Sequence, residues 1–127
     1  MRSSALALLV AACGTGPNVW PESVTTDAGS YELATTISPD PAPPGQDATV
    51  TLDLTATGEA EQGATVAVEP WMPAHGHGIS GEPLVTEVGD GTYTAVFAFS
   101  MSGTWEVTIS VDGSAGADSV TIPYDVP

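Results

Sequence analysis

The chain predicts an all-β fold, an immunoglobulin-like antiparallel β-sandwich of about seven strands. Three observations lead there. Hardly any segment repeats its apolar residues at a helical period, while a series of short Val/Thr/Ile/Ala runs alternates apolar with polar side chains. Glycine, proline and aspartate separate those runs at sandwich spacing. The body that carries them, residues 31–127, is the size of one small domain.

In order, Tyr31–Ile37 is the first strand, and "SPDPAPPGQD" after it is too rich in proline to sit inside a sheet. Ala48–Thr57 puts Val50, Leu52 and Leu54 on one face, with Thr49, Thr51, Asp53 and Thr55 on the other. "GEAEQG" turns the chain into Ala64–Glu69, where Val66 and Val68 point one way. A loop follows, then Leu84–Val88 and the tight hairpin signal "GDG". Thr92–Ser100 lines up Tyr93, Ala95, Phe97 and Phe99, and "MSG" at 101–103 reads as a second hairpin turn. Thr104–Val111 lines up Trp105, Val107, Ile109 and Val111, "DGSAGAD" turns once more, and Ser119–Tyr124 carries Val120, Ile122 and Tyr124.

The N-terminus has its own pattern. Arg2 followed by the apolar run Ala5–Ala12 reads as a secretory signal over residues 1–12, too short to span a bilayer as a helix. "LVAAC" resembles a bacterial lipobox, which implies that Cys13 becomes the lipidated first residue of an extracytoplasmic, membrane-tethered protein, periplasmic or on the cell surface. A plain signal peptide that happens to contain a cysteine is the competing reading. Cys13 is the only cysteine, so no intramolecular disulfide staples the fold. Residues 13–30 have little apolar periodicity and read as a flexible tether.

Charge excludes whole classes of function. Sixteen carboxylates stand against a single Lys or Arg, for a formal net charge of −15 with neutral histidines, and that single cation, Arg2, falls in the signal. Nucleic-acid binding needs cations to replace phosphate counterions, and docking by charge on an anionic membrane needs a basic patch. Neither is available, so membrane contact is through the lipid anchor only. The acidity favours solubility, and it also raises the local concentration of cations.

The special chemistry is concentrated in "EPWMPAHGHGISG", Glu69–Gly81, which holds both histidines, His75 and His77, together with Met72. The other methionine beyond the initiator, Met101, lies in "SMSG". Two readings compete: ordinary turns between strands, or two halves of a soft-metal site that meet on one rim. Thioether sulfur is soft and neutral and favours Cu(I) over hard cations, while imidazole suits copper in either oxidation state and zinc. Imidazole must be deprotonated to bind, so affinity is expected to fall below about pH 6.5.

"MPAHGHGI" and "GDGTYTAVFAFSMSGTWEVTISV" together resemble the YtkA-like domain, which is related to FixH-like proteins. The resemblance rests on Met72-Pro73 with His75 and His77, Gly91 with Tyr93, and Met101-Ser102-Gly103-Thr104-Trp105. It implies a small extracytoplasmic immunoglobulin-like sandwich linked to copper handling, with an ordering of ligands similar to that of periplasmic copper chaperones. Met72, His75, His77 and Met101 become the candidate ligands, and Trp71 and Trp105 the candidates for shielding bound Cu(I) by apolar cover and cation–π attraction. A copper-donating or copper-accepting protein is the implied partner, and chaperone or buffer the implied role. The alternative is a sandwich lipoprotein that presents an edge strand or loop to a protein partner without metal. Catalysis is not expected: the chain has no lysine, no G-x-S-x-G elbow and no cysteine beyond Cys13.

Overall fold

The alternation of Val50, Leu52 and Leu54 with Thr49, Thr51 and Asp53 becomes a strand whose three apolar side chains are all buried. The same holds along most of the chain. The structure is a computed structural model that describes residues 18–127. The expected signal segment and Cys13 lie outside the described residues. Ten strands follow one another: β1 (Ser23–Thr25), β2 (Glu32–Ser38), β3 (Asp47–Ala56), β4 (Glu59–Ala60), β5 (Thr65–Met72), β6 (His77–Gly78), β7 (Leu84–Gly89), β8 (Thr92–Ala98), β9 (Gly103–Gly113) and β10 (Gly116–Val126). They form two antiparallel sheets, one in the order β1-β2-β3-β8-β7 with β4 beside β3, the other in the order β10-β9-β5-β6. The inward faces of β2, β3 and β8 meet those of β5, β9 and β10 in a single apolar core, as alternation with one buried face requires.

Seven of these strands are the expected ones, and the three additions are two or three residues long. The connection through "MSG" differs from expectation. β8 belongs to one sheet and β9 to the other, so Met101–Gly103 is a crossing between sheets rather than a hairpin. Met101 therefore sits over the end of the core, against which it is partly buried.

The expected tether also ends earlier than residue 30. From Asn18 onward the chain is seated in the sandwich. Trp20 is buried, with its ring edge-on to Tyr124 at 5.4 Å and its indole N–H donating to Thr35 Oγ1 at 3.1 Å. β1 pairs with β2, and the backbone N–H and side-chain amide of Asn18 donate to the two Asp125 carboxylate oxygens at 2.8 and 3.1 Å. A buried indole with a partner for its N–H is what fixes this segment.

Hydrogen bonds from the fold hold three carboxyls below the usual carboxylate range. Asp118 is held chiefly by the Thr26 hydroxyl, with the N–H groups of Ser30, Ala28 and Ser119. Asp125 is held by the Asn18 N–H, then by Thr104 and the Asn18 side chain, and Glu61 by the Ser114 N–H and hydroxyl. Each contributes stability above its unfolded value of about 4 and loses it as pH falls through the lower folded value. Against this, sixteen acids with almost no bases repel one another at neutral pH. The melting temperature is therefore expected to rise as pH drops from 7 to about 5, and to fall below about pH 4. Added salt should raise it at pH 7 and do less near pH 4, where much of the acidity is neutralised. Thermal melts followed by circular dichroism check this. A melting temperature that climbs steadily down to pH 3 would contradict the role given to the three carboxyls.

Candidate metal centre

Pro70 and Met72 continue the inward set begun by Val68, so β5 runs three residues beyond its expected end at Glu69. Met72 is thus the last residue of a strand, not part of the loop, and its side chain is buried. Pro73–Gly76 form the turn, closed by the Met72 carbonyl, which accepts from the His75 N–H at 3.3 Å and the Gly76 N–H at 2.9 Å. Gly76 has φ +64°, a conformation that side chains resist. The chain then returns as β6, with His77 directly opposite Met72.

The two histidine rings lie 5.8 Å apart at 35°, His75 exposed and His77 half-buried. His77 Nδ1 is 2.9 Å from the Gly78 carbonyl oxygen. A carbonyl can only accept, so Nδ1 carries the proton and donates, and the lone pair is left on Nε2. That is the tautomer a metal would need at Nε2.

The second turn approaches the same end. The ring of Trp105 is fully buried and meets His77 nearly edge-on, at 5.9 Å and 73°. Its indole N–H donates to the Met101 carbonyl at 3.0 Å. One side chain therefore touches one turn with its ring and holds the other with its N–H. The turns also meet directly, because a Cβ at Gly103 would lie 2.7 Å from the Met72 methyl and 3.9 Å from its sulfur. The structure brings Met72, His75 and His77 together and ties Met101 to them through Trp105.

Trp71 is placed differently from expectation. It is 47% exposed, and strand alternation puts its ring on the face of β5 opposite Met72, over Gly78. It does not shield the cluster. The signal was in the sequence: if Val66 and Val68 face inward, so do residues 70 and 72, and 71 faces out. Gly103 is the residue that sequence reasoning missed. Its φ of +135° and its packing on Met72 both select glycine. Gly103→Ala is expected to lower stability by about 1–3 kcal/mol and to push the Met72 methyl aside. Urea unfolding reads the first effect and the Met72 methyl resonance the second. An unmoved resonance would contradict the packing.

Among the described residues, no three His, Cys, Asp or Glu side chains come together to hold a metal. Sulfur from the methionines beside the two imidazoles would make a donor set that suits a soft ion.

No curated protein matches the chain. Among solved structures, a DUF4426 family protein from Pseudomonas aeruginosa PAO1 is similar at a TM-score of 0.58 and 15% identity, over 83% of this chain and 94% of that one. FetP from uropathogenic E. coli strain F11, recombinantly expressed in the E. coli periplasm, is similar at a TM-score of 0.50 and 16% identity, over 88% of this chain and 97% of that one. At such identities the likeness is one of fold. A sequence profile described as YtkA-like matches residues 27–110, which include both turns, β5, β6, β8 and most of β9: the chain belongs to the YtkA-like family.

Proposed function

We propose that this protein binds copper, as Cu(I), through Met72, His75, His77 and Met101, and serves as a chaperone or buffer outside the cytoplasm, held to a membrane by a lipid on Cys13. One observation carries the reading: two turns far apart in sequence, Pro73–Gly76 and Met101–Gly103, share one end of the sandwich, joined by Trp105 and by Gly103 against Met72. Supporting it are the lone pair that the Gly78 contact leaves on His77 Nε2 and a neutral, soft donor set. The signal-like N-terminus agrees with an extracytoplasmic place. Catalysis is not part of the proposal: the rim would hold and release its cargo to a partner's ligands.

The test is anaerobic Cu(I) titration against a chromophoric chelator. The expected result is one equivalent bound, with affinity lowered at least about tenfold by His77→Ala and by Met101→Ala, while circular dichroism shows both variants folded. Wild-type protein that leaves the indicator fully loaded ends the copper reading. What then remains is a sandwich that offers an edge or loop to a protein partner.

A further inference from the structure

Sheet edges are where a sandwich is open to other strands. In the four-stranded sheet one edge is covered. The Asp27 N–H donates to the Ser119 carbonyl at 2.8 Å, and the Asp125 N–H to the Asn18 carbonyl at 3.0 Å, so the N-terminal segment lies along β10. Among the described residues the opposite edge is largely bare. β9 takes one side of β5 from Thr65 to Trp71, but β6 takes the other side only at Trp71 and Met72. The Pro70 carbonyl oxygen faces β6, 3.1 Å from where a Cβ of Gly78 would be. By the alternation of a ladder, the peptide groups of Val66 and Val68 turn to that same open side. Pro70 fits there because its missing N–H also faces outward.

Across the opening stands β7, an edge of the other sheet. Between the two runs a groove of about 740 Å³, lined by Val66, Val68, Ile79, Val85 and the half-exposed Trp71, with Glu69 and Glu82 along it. A second copy of this chain is a poor occupant, since each copy carries −15. The groove asks for the opposite sign.

We infer that this groove docks an extended segment of a partner protein that alternates apolar residues with Lys or Arg and adds as a strand to β5. Main-chain bonds to Val66 and Val68 supply the pairing, apolar side chains enter the groove, and the basic ones meet Glu69 and Glu82. The inference goes beyond the copper reading and requires no metal.

Trp71 is also its reporter, because Trp20 and Trp105 are both buried. The probe is the peptide acetyl-KVTVKVTVK-amide, titrated into metal-free protein, with acetyl-EVTVEVTVE-amide as its counterpart. The expected result is a saturable blue shift of tryptophan emission with the basic peptide alone. The shift is absent in Trp71→Phe, although calorimetry still detects binding, and affinity is weaker by about tenfold in the exposed double variant Glu69→Lys/Glu82→Lys. No shift, an equal shift with the acidic peptide, or unchanged affinity in the double variant would overturn the proposal. So would sedimentation that shows two copies of the chain closing over Trp71.

Discussion

Trp105→Ala is expected to cost about 3–5 kcal/mol of stability, read as a lower urea midpoint with an unchanged slope. The indole is fully buried, packs on Phe99 at 5.3 Å and is paired with Tyr124 across β9 and β10. Its removal leaves a cavity under both turns, and the Met101 carbonyl loses the donor that holds it. Such a loss is a large share of what a domain of this size has. Trp105→Phe separates the contributions. It keeps most of the apolar ring but loses the N–H, and about 1–2 kcal/mol is expected. If the alanine variant lost no more than the phenylalanine variant, packing under the rim would not be the main role of this residue.

Tyr31→Phe is expected to cost about 2–3 kcal/mol, at the other end of the molecule. The Tyr31 hydroxyl donates to the Gly116 carbonyl at 2.6 Å and accepts from the N–H groups of Gly113 and Ala115, both at 3.0 Å. One oxygen thus organises the whole turn between β9 and β10, and the side chain that carries it is buried. Phenylalanine keeps the ring and leaves two donors without that partner, so the cost is the asymmetric one of an unmade bond. The amides of Gly113 and Ala115 should exchange with solvent faster in the variant, which hydrogen exchange followed by NMR reads directly. β9 spans Gly103–Gly113, roughly 33 Å of strand, so the rim with Met72 and His77 should be unaffected. A variant that changes the Met72 methyl resonance as much as the Gly113 amide would contradict this separation of the two ends.

Legibility in the sequence followed the length of each element. β3, β8, β9 and β10 have three to five inward residues each, enough for a period of two to stand out. β4 and β6 have two residues each and β1 has three, too few to show any period, and they form because the longer strands already offer an edge. Trp20 was out of reach for a similar reason. Its place is set by Tyr124 and Thr35, far along the chain, and nothing around it repeats. Both turns of the candidate site were legible as residue types, because methionine and histidine are scarce here. Their meeting was not, because "MSG" reads the same whether the chain turns back within a sheet or crosses to the other one. Gly103 shows the limit most clearly: in sequence it is a turn glycine, and only the packing shows that it makes room for Met72.

The clamp of Asn18 on Asp125 bears on standoff height. Asp125 is paired with Thr104, one residue past Gly103, and its carboxylate accepts from the Thr104 hydroxyl. The chain therefore enters the folded body at the end that carries Met101 and Trp105. With the proposed lipid on Cys13, the leash to Asn18 is five residue steps, at most about 18 Å when fully extended. A leash that short would hold the methionine–histidine rim close above the bilayer and within reach of membrane-embedded proteins. The opposite end, with Tyr31 and Glu61, would face away from it.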